Sequence, residues 1–260
     1  MSAEFSTRRG CLDMASWVQN LSIRANLLGA KPFSKVQGER MVNPLPVLNT
    51  VPIETWVEAT WEEFLTFADD PTLMTARFYY DQGYMRIEMA PLGSAHGQDI
   101  TIVSTVLNLY AALKNIPIKG LTNTSFRKLK IREAQPDLAF YIDKDLTFPP
   151  RNNAPIDLNI LASPTLIVEI AASSLDDDRE RKLSLYQKMG VKECWVVDVA
   201  AGKILAWRLS QTSQTVIRES QVLPQLQLAL VEEAILRSHT EDDGAISRWL
   251  IETLTNHESS

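Results

Sequence analysis

Along the centre of the chain, apolar and polar positions alternate between two periods. Arg77 to Met89 reads as a hairpin turning near Asp81-Gln82-Gly83. From His96 onward Ile100, Val103, Leu107 and Tyr110 recur at helical spacing to about Lys114, which places His96 on the stripe that faces the sheet. Leu121 to Ile131 and Pro136 to Ile142 read as strands, followed by a polar loop around Pro149-Pro150-Arg151-Asn152-Asn153. Leu166 to Ala171 is a continuous apolar run interrupted by a single acid. A helix from about Asp177 to Met189, strands at Cys194 to Val199 and Ile204 to Leu209, and helical segments around Glu232 to Arg237 and Ile246 to Leu254 complete the series. Strands interleaved with helices predict an α/β protein with a mixed sheet flanked by helices.

The flanks differ from this centre. Before residue 41, Arg8, Arg9, Arg24, Lys31, Lys35 and Arg40 outnumber Glu4, Asp13 and Glu39, and Met14, Trp17, Val18, Leu21, Ala25 and Leu28 fall at helical spacing. Residues 1–45 are expected to be a basic extension, 46–240 the main domain and 241–260 a helical tail. Glu54, Glu58, Glu62, Glu63, Asp69 and Asp70, interleaved with Trp56, Trp61, Phe64 and Phe67, predict an amphipathic helix with an acidic face.

Composition narrows the function classes. Of 260 residues 45% are hydrophobic, enough for a sizeable core, yet no apolar run approaches the roughly 18–20 residues of a membrane span. No secretory h-region opens the chain. Cys11 and Cys194 cannot form a disulfide framework, and His96, His239 and His257 are too scattered for a ligand cluster, so a cytoplasmic protein is expected. The net charge of −6 argues against a nucleic-acid partner until its distribution is considered. The stretch Glu54 to Asp70 carries six acids and no base, so the rest of the chain is balanced. Lys119, Arg127, Lys128, Lys130 and Arg132 then form an acid-free basic run, with Lys128, Lys130 and Arg132 on one face if the strand alternates. Such a row is either a solvated strand face or a phosphate track in which Arg127, Lys128, Lys130 and Arg132 contact the backbone of DNA, RNA not being excluded. No helix-turn-helix, zinc finger or stacking series speaks for base-specific readout.

The chemistry concentrates on two acids. Glu169 interrupts Leu166-Ile167-Val168-Glu169-Ile170-Ala171, and a carboxylate in a buried strand requires a cation or a proton. Asp137 opens a second apolar strand, and Lys182 lies on the following helix. An internal salt bridge from Glu169 to Lys182 or Arg181 is the structural explanation. Two carboxylates holding Mg2+ (or Mn2+) beside a lysine is the functional one, since this hard ion takes one or two carboxylates and completes its shell with water and phosphate oxygens. Glu88 reads either as a solvated strand residue or as a further ligand, and His96 either as a hydrogen-bonded core-edge histidine or as a ligand or proton shuttle. Asp198 is expected to receive backbone donors in the turn that follows it.

Pro136-Asp137, Glu169-Ile170-Ala171 and Lys182 together resemble the PD-(D/E)xK superfamily of restriction-endonuclease-like proteins, in a variant whose lysine has moved to the next helix. More narrowly, Glu88-Met89-Ala90-Pro91 with His96, Gln135 to Phe140, Pro164 to Ala171, Lys182 to Tyr186, Gly190-Val191 and Trp195 to Asp198 resemble the bacterial Uma family over residues 60–240. This resemblance implies an αβββαβ restriction-endonuclease-like core, here with an added N-terminal hairpin and helical termini. It further implies Asp137 and Glu169 as metal ligands and Lys182 as the catalytic lysine of a Mg2+-dependent endonuclease; where other members carry an additional Glu, its duty falls in this chain to Glu88, to His96 or to neither. By analogy with relatives that cut two strands, a homodimer is expected. The competing expectation is a non-catalytic nucleic-acid-binding or regulatory module that retains the fold.

Overall fold

The computed structural model describes residues 52–89, 93–171 and 178–256, which belong to one compact unit spanning residues 46–260. The basic extension and its amphipathic helix lie outside the described residues.

Strand β1 (Val57–Glu58) leads into α1 (Trp61–Ala68). This helix is shorter than the acidic segment suggested, because it begins at a capping box: the Thr60 hydroxyl accepts from the Glu63 N–H while the Glu63 carboxylate accepts from the Thr60 N–H at 2.7 Å. Trp61, Phe64 and Phe67 are buried, leaving Glu62 and Glu63 outside. The helix covers a hairpin of β2 (Ala76–Asp81) and β3 (Tyr84–Met89), whose turn residues Gln82 and Gly83 both have positive φ, 46° and 99°. That pair of conformations matches the right-handed twist of the two strands. Helix α2 (Ser94–Leu113) buries the stripe His96, Asp99, Ile102, Val103, Val106, Leu107 and Tyr110.

The long strand expected over Leu121 to Ile131 does not form. Three short strands replace it: β4 (Ile118–Thr122), β5 (Phe126–Lys128) and β6 (Arg132–Ala134). The chain reverses between β5 and β6, where Lys130 takes φ of 60° and the Ile131 N–H donates to the Lys128 carbonyl at 3.0 Å. Next come β7 (Leu138–Ile142), β8 (Ile156–Asp157) and β9 (Leu166–Ala171). After β9 a π-helical turn, Asp178–Lys182, runs into α3 (Leu183–Met189), which ends at Gly190 with φ of 94°. Strands β10 (Glu193–Asp198), β11 (Lys203–Leu209) and β12 (Gln214–Ile217) precede α4 (Leu228–Arg237) and α5 (Asp243–Asn256).

Two sheets result, in the orders β1-β3-β2-β6-β5-β8 and β12-β11-β10-β9-β7-β4. In the second, β9 and β10 are parallel, as a crossover through α3 requires, and β7 runs antiparallel to β9. The succession α2, β4, β7, β9, α3, β10, with these four strands adjacent in space, is the αβββαβ core expected from the sequence. Strands β5, β6 and β8 are inserted into it and extend the sheet of the hairpin, to which β6 pairs through β2. Both faces of the central sheet are covered. Leu138, Phe140, Val168 and Ile170 face a core shared with α2, α4 and α5, whereas Ala139, Tyr141 and Ile167 face α3 and residues of the first sheet. A carboxylate at position 169, having the parity of Ile167, therefore points into a packed layer rather than toward water.

Candidate active site

Register places the two key acids together. Leu138 pairs with Val168 across β7 and β9, so Asp137, one residue before β7, stands opposite Glu169 and on the same face. The Ile170 N–H donates to Asp137 Oδ2 at 2.8 Å and ties the two strand ends together. Asp137 and Glu169 are only 1% and 2% exposed.

Each acid is met by cations or donors from other elements. Arg77 of β2 pairs through Nη2 with Asp137 Oδ1, and His96 Nε2 of α2 lies 3.0 Å from the same oxygen. Lys182, at the junction of the π-turn and α3, places Nζ 2.9 Å from Glu88 Oε2, 3.8 Å from Glu169 Oε1 and 4.4 Å from the centre of the Tyr79 ring. The Tyr186 hydroxyl, one turn further along α3, donates to Glu169 Oε1. Arg86 of β3 pairs with Glu88 of its own strand and with Glu54 at 3.3 Å. Five of the sequence-derived candidates, Asp137, Glu169, Lys182, Glu88 and His96, are thus brought into one buried cluster. Glu88, for which a solvated strand position was one reading, is buried. His96 faces inward as its stripe predicts, but among the described residues neither ring nitrogen has a partner in hydrogen-bond geometry, Nε2 resting 3.0 Å from Asp137 Oδ1 as an ion-pair contact.

Electrostatics favours the charged forms of Asp137 and Arg77. Burial alone would push Asp137 up, yet the nearby His96 imidazole, the Arg77 guanidinium and the Ile170 N–H together hold it below the ordinary carboxylate value. Arg77 is likewise held above its usual value despite burial, chiefly by Asp137. Burial, reinforced by the Glu169 charge, keeps Tyr186 far above the normal phenol range, so it acts as a permanent donor to Glu169. Asp99, one turn after His96, is pushed up by burial, with His239 and His96 pulling the other way.

Sequence reading missed Arg77, Arg86 and Tyr186. Their only signal was placement: Arg77 and Arg86 occupy inward positions of an otherwise apolar hairpin, and Tyr186 sits one helical turn beyond Lys182.

The basic row fares differently. Lys128, Lys130 and Arg132 do not lie on one strand: β5 and β6 form a hairpin in which Lys128 and Arg132 are cross-strand partners and Lys130 sits in the turn. Arg127 pairs with Glu133 and, at 2.9 Å, with Asp69; Arg132 pairs with Asp81 at 2.8 Å. Lys119, Lys128 and Lys130 have no ion-pair partner among the described residues; Lys119 and Lys130 are exposed and Lys128 is half-buried. Asp198 accepts the Ala201 N–H at 2.9 Å, the turn role expected of it.

Glu133, beside this hairpin, carries a prediction of its own. Its burial pushes the carboxyl up to about 7, with Arg127 offsetting only part of the effect. A carboxyl raised on folding stabilises the protein below its unfolded value and loses that contribution as pH rises through its folded value. The urea stability of the wild type relative to Glu133→Gln should therefore fall by about 1–3 kcal/mol between pH 5 and 8. A difference that stays flat or rises over that range would refute the assignment.

The fold and the buried cluster define a restriction-endonuclease-like α/β protein. Residues 61–238 match the Uma2 family model, described as "Putative restriction endonuclease", and the chain belongs to that family. Among solved structures it is similar, at 18% identity and a TM-score of 0.48, to "a putative nuclease belonging to DUF820" from Anabaena variabilis; the similarity covers 68% of this chain and 99% of that one. No curated protein matches the sequence. Among the described residues, no helix is long and apolar enough to cross a membrane.

The donor set can be tested against a divalent ion. Among the described residues no group of three or more His, Cys, Asp or Glu side chains converges as a metal cage. Two all-oxygen carboxylates, opposite each other at strand ends, suit Mg2+ or Mn2+, which need few protein ligands.

Proposed function

We propose that this protein is a divalent-metal-dependent endonuclease acting on DNA phosphodiesters. The observation that carries the reading is the placement of Glu169 opposite Asp137 with the Lys182 ammonium 3.8 Å from Glu169. Asp137 and Glu169 would hold the ion. Such an ion supplies Lewis-acid chemistry, acidifying water and offsetting the charge of a phosphodiester.

The chain's own residues perform the remaining tasks. Tyr186 fixes the orientation of Glu169 by a hydrogen bond that does not titrate near neutrality. His96 and the Ile170 N–H hold the Asp137 carboxylate from two sides. Lys182, balanced between Glu88 and Glu169, places a positive charge where a pentacoordinate phosphorane-like transition state accumulates negative charge. Glu88 positions this ammonium rather than reacting with substrate. Lys119, Lys128 and Lys130 supply a sequence-independent phosphate contact.

Purified full-length protein should convert supercoiled plasmid to nicked circles with Mg2+ or Mn2+, cease on addition of EDTA, and bind DNA more weakly as salt rises. Absence of nicking with both ions, while DNA binding persists, would favour the non-catalytic binding module instead. Single-stranded RNA run in parallel distinguishes the nucleic acid.

A further inference from the structure

The candidate metal site already contains its own cations. Glu88, Asp137 and Glu169 are matched by Arg77, Arg86 and Lys182, all six side chains being buried. The decisive contact is on Asp137. Its Oδ2 accepts the Ile170 N–H, and its Oδ1 is shared by His96 Nε2 and Arg77 Nη2. That same Nη2 donates to Asn123 Oδ1 at 2.9 Å, so the guanidinium bridges the loop after β4 and the start of β7. Arg77 is 5% exposed, and neither it nor Asp137 can be screened by bulk water.

We propose that Arg77 is a built-in counter-ion which occupies the Asp137 carboxylate in the absence of a divalent ion and competes with that ion for it. The inference rests on the metal-dependent reading above and adds a residue that reading does not require. A divalent ion in contact with Asp137 Oδ1 would stand beside the Arg77 guanidinium in a layer from which water is excluded. Two adjacent cations there repel strongly, so one must leave. Arginine cannot yield by losing its proton, since its guanidinium stays charged in proteins. The guanidinium must move instead. Metal affinity in the absence of substrate is consequently lower than two carboxylates alone would give, and the buried acids remain compensated while the site is metal-free.

The test is Mn2+ binding to the full chain without DNA, followed by isothermal titration and by the EPR signal of free Mn2+, for the wild type, Arg77→Met and Asn123→Gly. Arg77→Met removes the competitor and should tighten Mn2+ binding at least about tenfold. Asn123→Gly removes only the second anchor of the guanidinium and should tighten it about two- to fivefold. Asn123 has φ of 47°, a conformation glycine adopts freely, so this variant retains the fold even if loss of a buried charge unfolds Arg77→Met. Near-UV circular dichroism monitors that point. Tightening in the folded variants supports the proposal, including the case in which the wild type binds no Mn2+ and Arg77→Met does. Measurable wild-type binding that is unchanged or weakened in folded variants overturns the role of Arg77 and leaves the metal site standing. No binding by any of the three overturns the metal site and the competition together.

Discussion

Glu169→Gln is expected to reduce metal-dependent plasmid nicking by about 10²–10³-fold while leaving the protein folded. The amide has the shape of the carboxylate, and its oxygen can still accept the Tyr186 hydroxyl. Lys182 retains Glu88 at 2.9 Å, so the cation is not abandoned in the core. The substitution removes one thing, a formal negative charge on the face of β9 opposite Asp137. A hard divalent ion distinguishes sharply between a carboxylate and an amide. Nicking is followed on agarose gels at fixed Mn2+, with thermal unfolding as the fold control. Activity that survives the substitution in folded protein would place the chemistry elsewhere or in a contaminant.

Lys182→Ala is expected to be the most damaging single change to stability, at about 3–5 kcal/mol, and to abolish nicking as well. Lys182 is 3% exposed and serves two buried carboxylates, Glu88 and Glu169. Its removal leaves negative charge uncompensated in a packed layer and withdraws the ammonium from the Tyr79 ring. Removing one partner of a buried pair costs far more than removing both. Lys182→Ala combined with Glu88→Gln should therefore recover part of the loss, and the non-additivity measures the coupling. Urea denaturation of the four proteins of the cycle checks this. A loss below about 1 kcal/mol for Lys182→Ala would mean that water screens the pair, as at an exposed site.

Much of the site could be read from the chain because a buried acid is conspicuous. Glu169 stands out only against Leu166, Ile167, Val168, Ile170 and Ala171, and Asp137 only against the apolar strand it opens. His96 was placed correctly because it shares a stripe with Val103 and Tyr110. The basic row was misread for a complementary reason. Lys128, Lys130 and Arg132 alternate as in a strand, and no Gly, Asn or Pro marks the reversal that Lys130 makes with positive φ. Arg127 and Arg132 read as free cations because Glu133 meets Arg127 only across the β5–β6 reversal, and Asp69 and Asp81 come from distant segments. Nothing local identifies such partners.

By itself the sequence determined the order of the main strands and helices, though not the short strands β1, β5, β6, β8 and β12, and it marked two acids, one inside and one at the start of an apolar strand. Periods of 2 and 3.6 are written in near neighbours, and a charge in a hydrophobic run is visible without knowing where the run goes. Only the tertiary structure decided which groups meet. Arg77 from β2, Glu88 from β3, His96 from α2, Asp137 beside β7, Glu169 from β9, and Lys182 and Tyr186 around α3 converge because sheet register and the β9-α3-β10 crossover bring distant segments to one point. Ion pairing in a low-dielectric layer depends on separations of a few ångströms, and such separations are set by packing rather than by position along the chain.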